Sequence, residues 1–237
     1  MSVLDLQRTV GELVTERPSR SRVFETLGID YCCGGRKPLG DACAEQGLDP
    51  DTVARLLEAP DAAAPAAPEV EPAAMTLMQL ADHIEATHHA YLRSELPRLT
   101  AMVRKVTSVH GAHHPWLIEL NSVFDGFVRE LNDHMQKEER VLFPMIRALE
   151  QGDVAATAHC GGLSNPIRAM EHEHHNAGAA LATMRRLSDG YRPPEGACNT
   201  FRAMLDALSE LERDMNQHVH KENNVLFPRA EALAAGQ

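Results

Sequence analysis

The chain has 237 residues, of which 43% are hydrophobic and 4% aromatic, and it carries a net charge of −11 with histidine taken as neutral. The acidic balance without a basic cluster argues against nucleic acid as a partner. Since no window has the ~18 apolar residues of a membrane span and the amino terminus has no signal-peptide pattern, we expect a cytoplasmic protein without a membrane partner.

Residues 1–58 are predicted to form a small helical domain, because apolar residues recur there at helical spacing in three short segments. The segments contain Leu6, Val10, Leu13 and Val14, then Val23, Phe24 and Leu27, and finally Val53, Leu56 and Leu57. Between the second and third segments we expect a loop, GIDYCCGGRKPLGDAC. Residues 59–74, APDAAAPAAPEVEPAA, have no apolar periodicity and are typical of a semi-extended linker.

Residues 75–237 contain four long amphipathic patterns, and the scarcity of aromatic residues also favours an all-α fold. The patterns cover residues 75–108, 115–149, 166–188 and 195–233. Since modest loops join them, we expect an antiparallel four-helix bundle. Pro97, Pro144 and Pro228 are expected to kink or stop a helix.

One eleven-residue motif occurs twice in this region. Residues 134–144 are HMQKEERVLFP and residues 218–228 are HVHKENNVLFP, 84 positions later. A histidine precedes each copy at a matched distance, since His89 and His174 are 85 positions apart. The pattern predicts one helical hairpin used twice.

The histidines and glutamates of the motif fall on the apolar faces of their helices. His134 and Glu138 continue the spacing of the preceding apolar residues, His218 and Glu222 do the same, and His174 lies in the core phase of the third helix. A single HxxxE is usually a solvated pair, but two copies in core phase predict a buried cation, because unpaired buried charges cost several kcal/mol. Nitrogen and oxygen ligands favour iron or manganese, and two carboxylates can bridge two metal ions.

The segments HMQKEERVLFP, MEHEHHNAG and HVHKENNVLFP resemble the hemerythrin-type di-iron domain. GIDYCCGG resembles the amino-terminal domain of the iron-sulfur cluster repair di-iron proteins, the repair of iron centres family. The resemblance implies a hemerythrin-like bundle with two iron ions in an oxo-bridged centre, induced under nitric oxide or oxidative stress. Damaged iron-sulfur proteins would be the clients, nitric oxide or oxygen the small ligand, and a homodimer is compatible with the sequence.

The resemblance also implies the metal ligands. They would be His89, His134, His174 and His218, with Glu138 and Glu222 as bridging carboxylates. His88 remains an alternative to His89, which is preferred because it stands seven residues before Leu96-Pro97 as the family ligand does. Glu173 matches a glutamate of the family and would support a ligand or handle protons, or else is a solvated carboxylate.

Gly178 lies where oxygen-carrying hemerythrins have an additional histidine ligand. Oxygen-carrying hemerythrins have a further histidine one turn after the third-helix ligand, where this chain has Gly178. We hypothesise that the difference leaves iron short of six ligands, which would open the site to nitric oxide or make iron easier to release.

The five cysteines are expected to be reduced thiols. Cys32 and Cys33 are adjacent in the sequence, and adjacent cysteines rarely form a disulfide with each other. They either pass iron or electrons between the bundle and a client, which the resemblance favours, or form a buried turn. Cys43 could join them, whereas Cys160 and Cys198 are expected to be incidental. Histidines in loops or off the core phase are expected at the surface: His110, His113, His114, His159, His172 and His220.

Three functions are compatible with these features. The preferred one is repair of damaged iron-sulfur clusters by iron delivery or redox chemistry at a labile di-iron site. The alternatives are reversible binding or sensing of nitric oxide or oxygen, and an enzyme that reduces nitric oxide or produces it from nitrite. Gly178 argues against an oxygen carrier, and the lack of an output domain argues against a bare sensor. Enzymatic activity is left open, since fold analogy does not settle chemistry.

Overall fold

The computed structural model of the chain describes residues 4–59, 71–153 and 162–236. These residues are mostly helical and include no β-strand, and an isolated bridge pairs Thr9 with Pro38. The α-helices, numbered in chain order, are α1 Val10–Glu16, α2 Arg20–Leu27, α3 Leu39–Glu45, α4 Pro50–Glu58, α5 Leu77–Ile84, α6 Ala90–His110, α7 Trp116–Lys137, α8 Phe143–Glu150, α9 Ser164–Leu187, α10 Asn199–Lys221 and α11 Phe227–Ala235. The predicted all-α class is confirmed. Within the described ranges, no helix has the length and apolar character needed to cross a bilayer.

Two compact units divide the chain. One contains residues up to 80 together with residues from 216 onward, and the other contains residues 81–215. We call them the terminal unit and the central unit. Helices α5 and α10 each contribute residues to both. The predicted domain boundaries, after residues 58 and 74, remain predictions.

The terminal unit has a core of its own, formed by the four short helices α1 to α4. Helix α1 begins with a capping box between Thr9 and Glu12, and α4 begins at the Asp49 cap with Pro50 in its first turn. Gly28 closes α2 in the left-handed conformation that a glycine adopts without strain. The buried core side chains include Val10, Leu13, Phe24, Tyr31, Leu39, Cys43, Val53 and Leu57.

Two features of these short helices differ from the sequence prediction. Helix α3 occupies part of the expected loop, because burial of Leu39, Ala42 and Cys43 stabilises a turn whose seven residues are too few to show a periodic pattern. Leu56, predicted in the apolar face of α4, is 46% exposed, since Val53 and Leu57 form the face that packs on the core.

The central unit contains the four-helix bundle, formed by α6, α7, α9 and the first part of α10. Short connections reverse the chain between α6 and α7. Helix α10 pairs with α9 through Glu212–Arg185, and with the turn just before α6 through Asp214–His88. Pro97 lies within α6 without ending it. The buried apolar residues facing one another include Leu92, Leu99, Val103, Leu120, Phe124, Leu131, Leu181, Met184, Leu205 and Leu208.

A π-helical turn occurs in each copy of the repeated motif. Residues Glu138–Leu142 join α7 to α8, and residues Glu222–Leu226 join α10 to α11. In both copies the N–H of the following phenylalanine donates to the carbonyl oxygen of the motif glutamate, five residues earlier. The prolines that come next, Pro144 and Pro228, lack the N–H that continues an α-helix. Each metal-ligating candidate glutamate therefore stands at the start of a π turn, a feature common at functional sites.

Candidate metal centre

A buried cluster of three histidines surrounds Glu138 in the central unit. Glu138 is fully buried, and its Oε2 lies 3.3 Å from Nε2 of His89, while its Oε1 lies 3.3 Å from Nε2 of His134. Nε2 of His174 is 3.9 Å from the same Oε1 and 3.0 Å from Nε2 of His134. We call His89, His134, Glu138 and His174 the Glu138 cluster.

The geometry of the Glu138 cluster suits a metal ion. Two imidazole nitrogens that bind one metal ion at right angles to each other, each about 2.1 Å from it, lie about 3.0 Å apart. The Nε2 atoms of His134 and His174 have this separation. A cation would also balance the charge of a carboxylate that is 0% exposed. The donors are nitrogen and carboxylate oxygen, which is the ligand chemistry of iron in helical bundles.

A carboxylate on the far side of its ring orients His89. His89 Nδ1 lies 2.7 Å from Oε1 of Glu139, which Arg93 also contacts. Burial raises the pKa of Glu139, but hydrogen bonds from Arg93 and His89 outweigh it and leave that pKa lowered. The imidazole is thus held with Nε2 toward Glu138, as in the carboxylate–histidine pairs of many metal sites. Sequence reasoning missed Glu139, whose only signal was its position next to Glu138.

Glu173 orients His134 in the same way. Its Oε2 is 3.0 Å from His134 Nδ1, and its Oε1 accepts from Lys137 Nζ at 2.5 Å. The hydrogen bond from His134, aided by Lys137, lowers the pKa of Glu173 to about 2. Glu173 is therefore an ionised carboxylate in contact with a ligand candidate, and its predicted role in supporting that ligand or handling protons stays a prediction.

The second copy of the motif supplies another buried pair, in the terminal unit. His218 Nε2 lies 3.1 Å from Oε1 of Glu222, and both side chains are 0% exposed. The pair repeats the i,i+4 arrangement of His134 and Glu138. We call these two residues the His218–Glu222 pair.

The two candidate histidines at the first position have different partners. His89 contacts Glu138, as described, whereas His88 Nδ1 lies 2.8 Å from Oδ1 of Asp214. His88 is 4% exposed, so burial does not distinguish it from His89. The structure brings His89, and not His88, into the Glu138 cluster.

The adjacent cysteines lie in a tight turn organised by Asp30. The N–H groups of Cys32 and Cys33 both donate to Asp30 Oδ1, and the Cys32 thiol lies 3.0 Å from the same oxygen. Cys32 is 7% exposed and Cys33 is half-buried. Cys43 does not join the turn but lies in the core of the short helices, where burial raises its thiol pKa.

The other residues singled out from the sequence lie away from these clusters or outside the described residues. Cys198 is exposed, 3.4 Å from His110 Nε2. His113 and His172 are exposed, whereas His110 and His114 are half-buried. His159 and Cys160 fall outside the described residues.

The prediction for His220 is wrong. Its side chain is 6% exposed, with Nδ1 3.4 Å from the carbonyl oxygen of Tyr31 and Nε2 3.4 Å from the hydroxyl of Thr15. Burial lowers the pKa of His220 to about 4, so the imidazole is neutral at neutral pH. The residue is off the ligand face of α10, as predicted, but it packs against Thr15 and Tyr31 of the terminal unit.

Two asparagines on the same face as His220 were also missed. Asn224 Nδ2 donates to the carbonyl oxygens of Tyr31 and Cys32 at 3.3 and 3.0 Å, and Asn216 Oδ1 lies 3.6 Å from the Cys32 thiol. Asn216, His220 and Asn224 are spaced by four residues, opposite the ligand face. We call them the outer stripe. Its sequence signal is that His220 and Asn224 replace Gln136 and Arg140 of the first copy.

A cavity of about 280 Å³ adjoins the Glu138 cluster in the central unit. It reaches His134 and His174, and its wall includes Glu130, Lys137 and Glu173. The cavity also has an apolar side, formed by Phe127, Leu131, Ala177 and Met215. Small molecules can therefore approach the side chains of two ligand candidates without unfolding the bundle.

The fold and these clusters define a class of protein: helical bundles that bind cations through buried histidines and carboxylates. The chain belongs to the hemerythrin HHE cation binding domain family, whose model matches residues 80–230. Buried histidines and glutamates of this kind are able to hold a di-iron site. Residues 6–61 match a second family, ScdA_N, described as a domain of unknown function.

Relatives from several bacteria extend over almost the whole chain. The iron-sulfur cluster repair protein YtfE of Edwardsiella ictaluri is 40% identical over 227 residues, covering 94% of this chain and 96% of the relative. The proteins of the same name from Pectobacterium atrosepticum and Escherichia coli are each 36% identical, over 223 and 225 residues. They cover 94% and 93% of this chain, and 96% and 95% of their own lengths. The resemblance inferred from the motifs is confirmed.

Proposed function

We propose that this protein repairs damaged iron-sulfur clusters with the help of a di-iron site. The observation that carries the proposal is a fully buried glutamate among three imidazole nitrogens, in a chain similar along its length to repair proteins. Bound iron would supply redox chemistry and a source of iron for rebuilding a cluster. Damaged iron-sulfur proteins are the proposed clients, nitric oxide or oxidative stress the proposed cause of damage, and the cytoplasm the proposed location.

The proposed ligands come from both copies of the motif. The Glu138 cluster and the His218–Glu222 pair together would hold two iron ions, with Glu138 and Glu222 as bridging carboxylates. Support comes from the equal i,i+4 geometry of the two His–Glu pairs and their complete burial. Glu139 and Glu173 would hold the imidazoles of His89 and His134 in position.

The cysteines provide the proposed route between this site and a client. Cys32 lies 3.6 Å from Asn216, which stands two residues before His218 on the same helix. The Cys32 thiol therefore lies against the helix that carries His218 and leads into the turn of Glu222. Thiolates bind iron and exchange electrons readily, so Cys32 and Cys33 are the proposed groups that pass iron or electrons to the client.

A second candidate function is binding or reduction of nitric oxide, or its formation from nitrite. The cavity beside His134 and His174 favours it, because a small ligand could enter there. Gly178, in the position of the oxygen-carrier histidine, would leave room for such a ligand at the iron.

A repair assay tests the first function against the second. Anaerobically purified, iron-loaded protein is mixed with a cluster enzyme damaged by nitric oxide, and recovery of the client's activity is measured. We expect recovery with the native chain, and loss of it with Glu138→Leu and with the double change of Cys32 and Cys33 to alanine. Cys198→Ala, at an exposed thiol elsewhere, is the control. Recovery unaffected by the first two variants would contradict the proposal, and nitric oxide turnover without a client would favour the second function.

A further inference from the structure

The turn after α2 carries a cluster of metal-binding side chains separate from the di-iron donor set. Asp30, Cys32 and Cys33 each offer one ligand atom, and these atoms all lie within 4.8 Å of one another. All three side chains come from one short loop of the terminal unit. Two thiols and a carboxylate are the donors that transition metals such as Fe²⁺, Co²⁺ and Zn²⁺ accept in proteins.

The distances in this loop are close to those of a bound metal. With metal–sulfur and metal–oxygen distances of about 2.3 and 2.0 Å, ligands at tetrahedral angles lie about 3.5 Å apart. The Cys32 thiol lies 3.0 Å from Asp30 Oδ1. Binding would need this contact to open by about half an ångström. Asn216 Oδ1 is a further oxygen near this thiol, at 3.6 Å.

One carboxylate oxygen of Asp30 can still bind a metal ion, even though the carboxylate organises the turn. Its Oδ1 accepts from two N–H groups and the Cys32 thiol, whereas Oδ2 accepts from the N–H of Gly34 at 3.0 Å. Because a carboxylate oxygen has two lone pairs, Oδ2 can accept one N–H and still bind a cation. The backbone bonds also fix the direction of the carboxylate, so little ordering is needed on binding.

The charges of the cluster also favour a cation. Two thiolates and a carboxylate would repel one another without a positive charge among them. Hydrogen bonding with Cys33, burial and the charge of Asp30 raise the pKa of the Cys32 thiol. A divalent cation would offset this repulsion and displace the thiol protons.

The loop is held in shape from outside yet remains open to solvent. Asn224 binds the carbonyl oxygens of Tyr31 and Cys32, and a Cβ added at Gly35 would overlap the Asn224 side chain. Asp30 is exposed and Cys33 half-buried, so one side of the cluster is accessible. Structural zinc sites are closed by four protein ligands, whereas an open three-ligand site can exchange its metal.

We propose that Asp30, Cys32 and Cys33 bind a single divalent transition-metal ion at a site distinct from the di-iron donor set. On binding, each thiol loses its proton to solvent and its sulfur bonds to the metal, so two protons leave for each ion bound and no electron is transferred. The assignment of this site to iron in transit rests on the proposed repair function, whereas the site itself does not.

Cobalt(II) titration of the full chain tests the proposal. The iron-loaded, thiol-reduced protein is titrated anaerobically with Co²⁺, and thiolate-to-cobalt charge-transfer absorption is followed by difference spectroscopy. Proton release is measured with an indicator in weak buffer. We expect one Co²⁺ and two protons per chain, and loss of the absorption in Cys32→Ser and Cys33→Ser. Cys198→Ala, the control at an exposed thiol, should leave the titration unchanged.

Asp30→Asn examines the carboxylate, since an asparagine oxygen can still accept the backbone N–H bonds of the turn. We expect Co²⁺ affinity to fall by about tenfold or more, with an unchanged melting temperature of the metal-free protein. Native affinity in this variant, or charge-transfer absorption that survives both serine substitutions, would overturn the proposed site. Cobalt binding as expected, with no client recovery in the repair assay, would instead refute the proposed function and leave the site intact.

Discussion

The two copies of the eleven-residue motif are alike on one side of the helix and different on the other. On the inner side, each copy has a buried histidine and glutamate one turn apart, followed by a π turn with the same N–H to carbonyl bond. On the outer side, Gln136 and Arg140 of the first copy are exposed, whereas His220 is buried and Asn224 is half-buried.

The motif could therefore be repeated with the same histidine and glutamate on the inner side, while the residues on the outer side changed. A helix presents residues two positions apart on nearly opposite sides, so the ligand side can stay fixed while the other side changes. In the second copy the outer stripe holds the turn that carries Cys32 and Cys33.

Glu138→Leu should abolish most iron binding while leaving the metal-free fold intact. The change removes the carboxylate that contacts three imidazoles, so we expect iron content to fall by at least about tenfold. In the metal-free protein, leucine removes a buried charge but leaves three imidazoles without this carboxylate, so we expect a lower melting temperature without loss of the fold. Metal analysis and melting temperatures of both forms check this. Glu222→Leu should behave alike if the copies are equivalent, and Glu119→Leu, at an exposed position of α7, should retain the iron.

Phe143→Ala and Phe227→Ala should each lower the free energy of unfolding by about 3–5 kcal/mol, because both rings are fully buried. Urea unfolding of the metal-free protein measures the effect. Only Phe143 is expected to alter the electronic spectrum of the iron site as well, since its ring stacks on His89 at 5.8 Å. A loss of under about 1 kcal/mol at either position would contradict the burial of that ring.

Asn224→Ala should destabilise the terminal unit by about 1–3 kcal/mol, because it leaves the carbonyl oxygens of Tyr31 and Cys32 without this donor. The matched change in the first copy, Arg140→Ala, should lie within about 0.5 kcal/mol of native. Hydrogen exchange of residues 4–58 measures the difference.

Gly35→Ala, combined with Asn224→Ala in a double-mutant cycle, measures the coupling between the cysteine loop and the outer stripe. In the native background its methyl group would overlap Asn224, at an expected cost of about 1–3 kcal/mol. In the Asn224→Ala background the cost should be smaller, because the overlapping side chain is gone. Equal costs in both backgrounds would show that Asn224 does not set the position of the loop.

Lys137→Met should have the smallest effect. Lys137 is 52% exposed and pairs with Glu173, so we expect a loss of about 0.2–1 kcal/mol that decreases at high salt. Thermal unfolding at low and high salt checks this. A loss that does not change with salt would indicate that the lysine contributes through packing instead of charge.

Much of the candidate site was predictable from local spacing. The positions of His134, Glu138, His218 and Glu222 follow from a motif that occurs twice in phase with the apolar residues. The i,i+4 spacing is a property of one helix, so a sequence that repeats it specifies which side chains share a face before any tertiary contact is known. The all-α class and the bundle follow from the same periodicity.

The phase of Leu92 and Leu96 favours His89 over His88, but periodicity leaves His88 as an alternative. A π-helical turn at Glu85–His89 includes both residues and shifts the phase between α5 and α6. Because a π turn accommodates an extra residue, the 3.6-residue period fails across it. Tertiary contacts distinguish the two residues, since Asp214 pairs with His88 while Glu138 and Glu139 contact His89, and the choice of His89 as ligand stays a prediction.

The class, the repeated His–Glu faces and the adjacent pair of cysteines were predictable, because each is encoded in residues close together along one segment. Three other features appear only in the folded chain: the carboxylates that orient the imidazoles, the burial of His220, and the contacts by which the outer stripe holds the cysteine loop. These contacts join residues from 39 to more than 180 positions apart. No helical period relates such positions, since their proximity depends on how the packed elements meet.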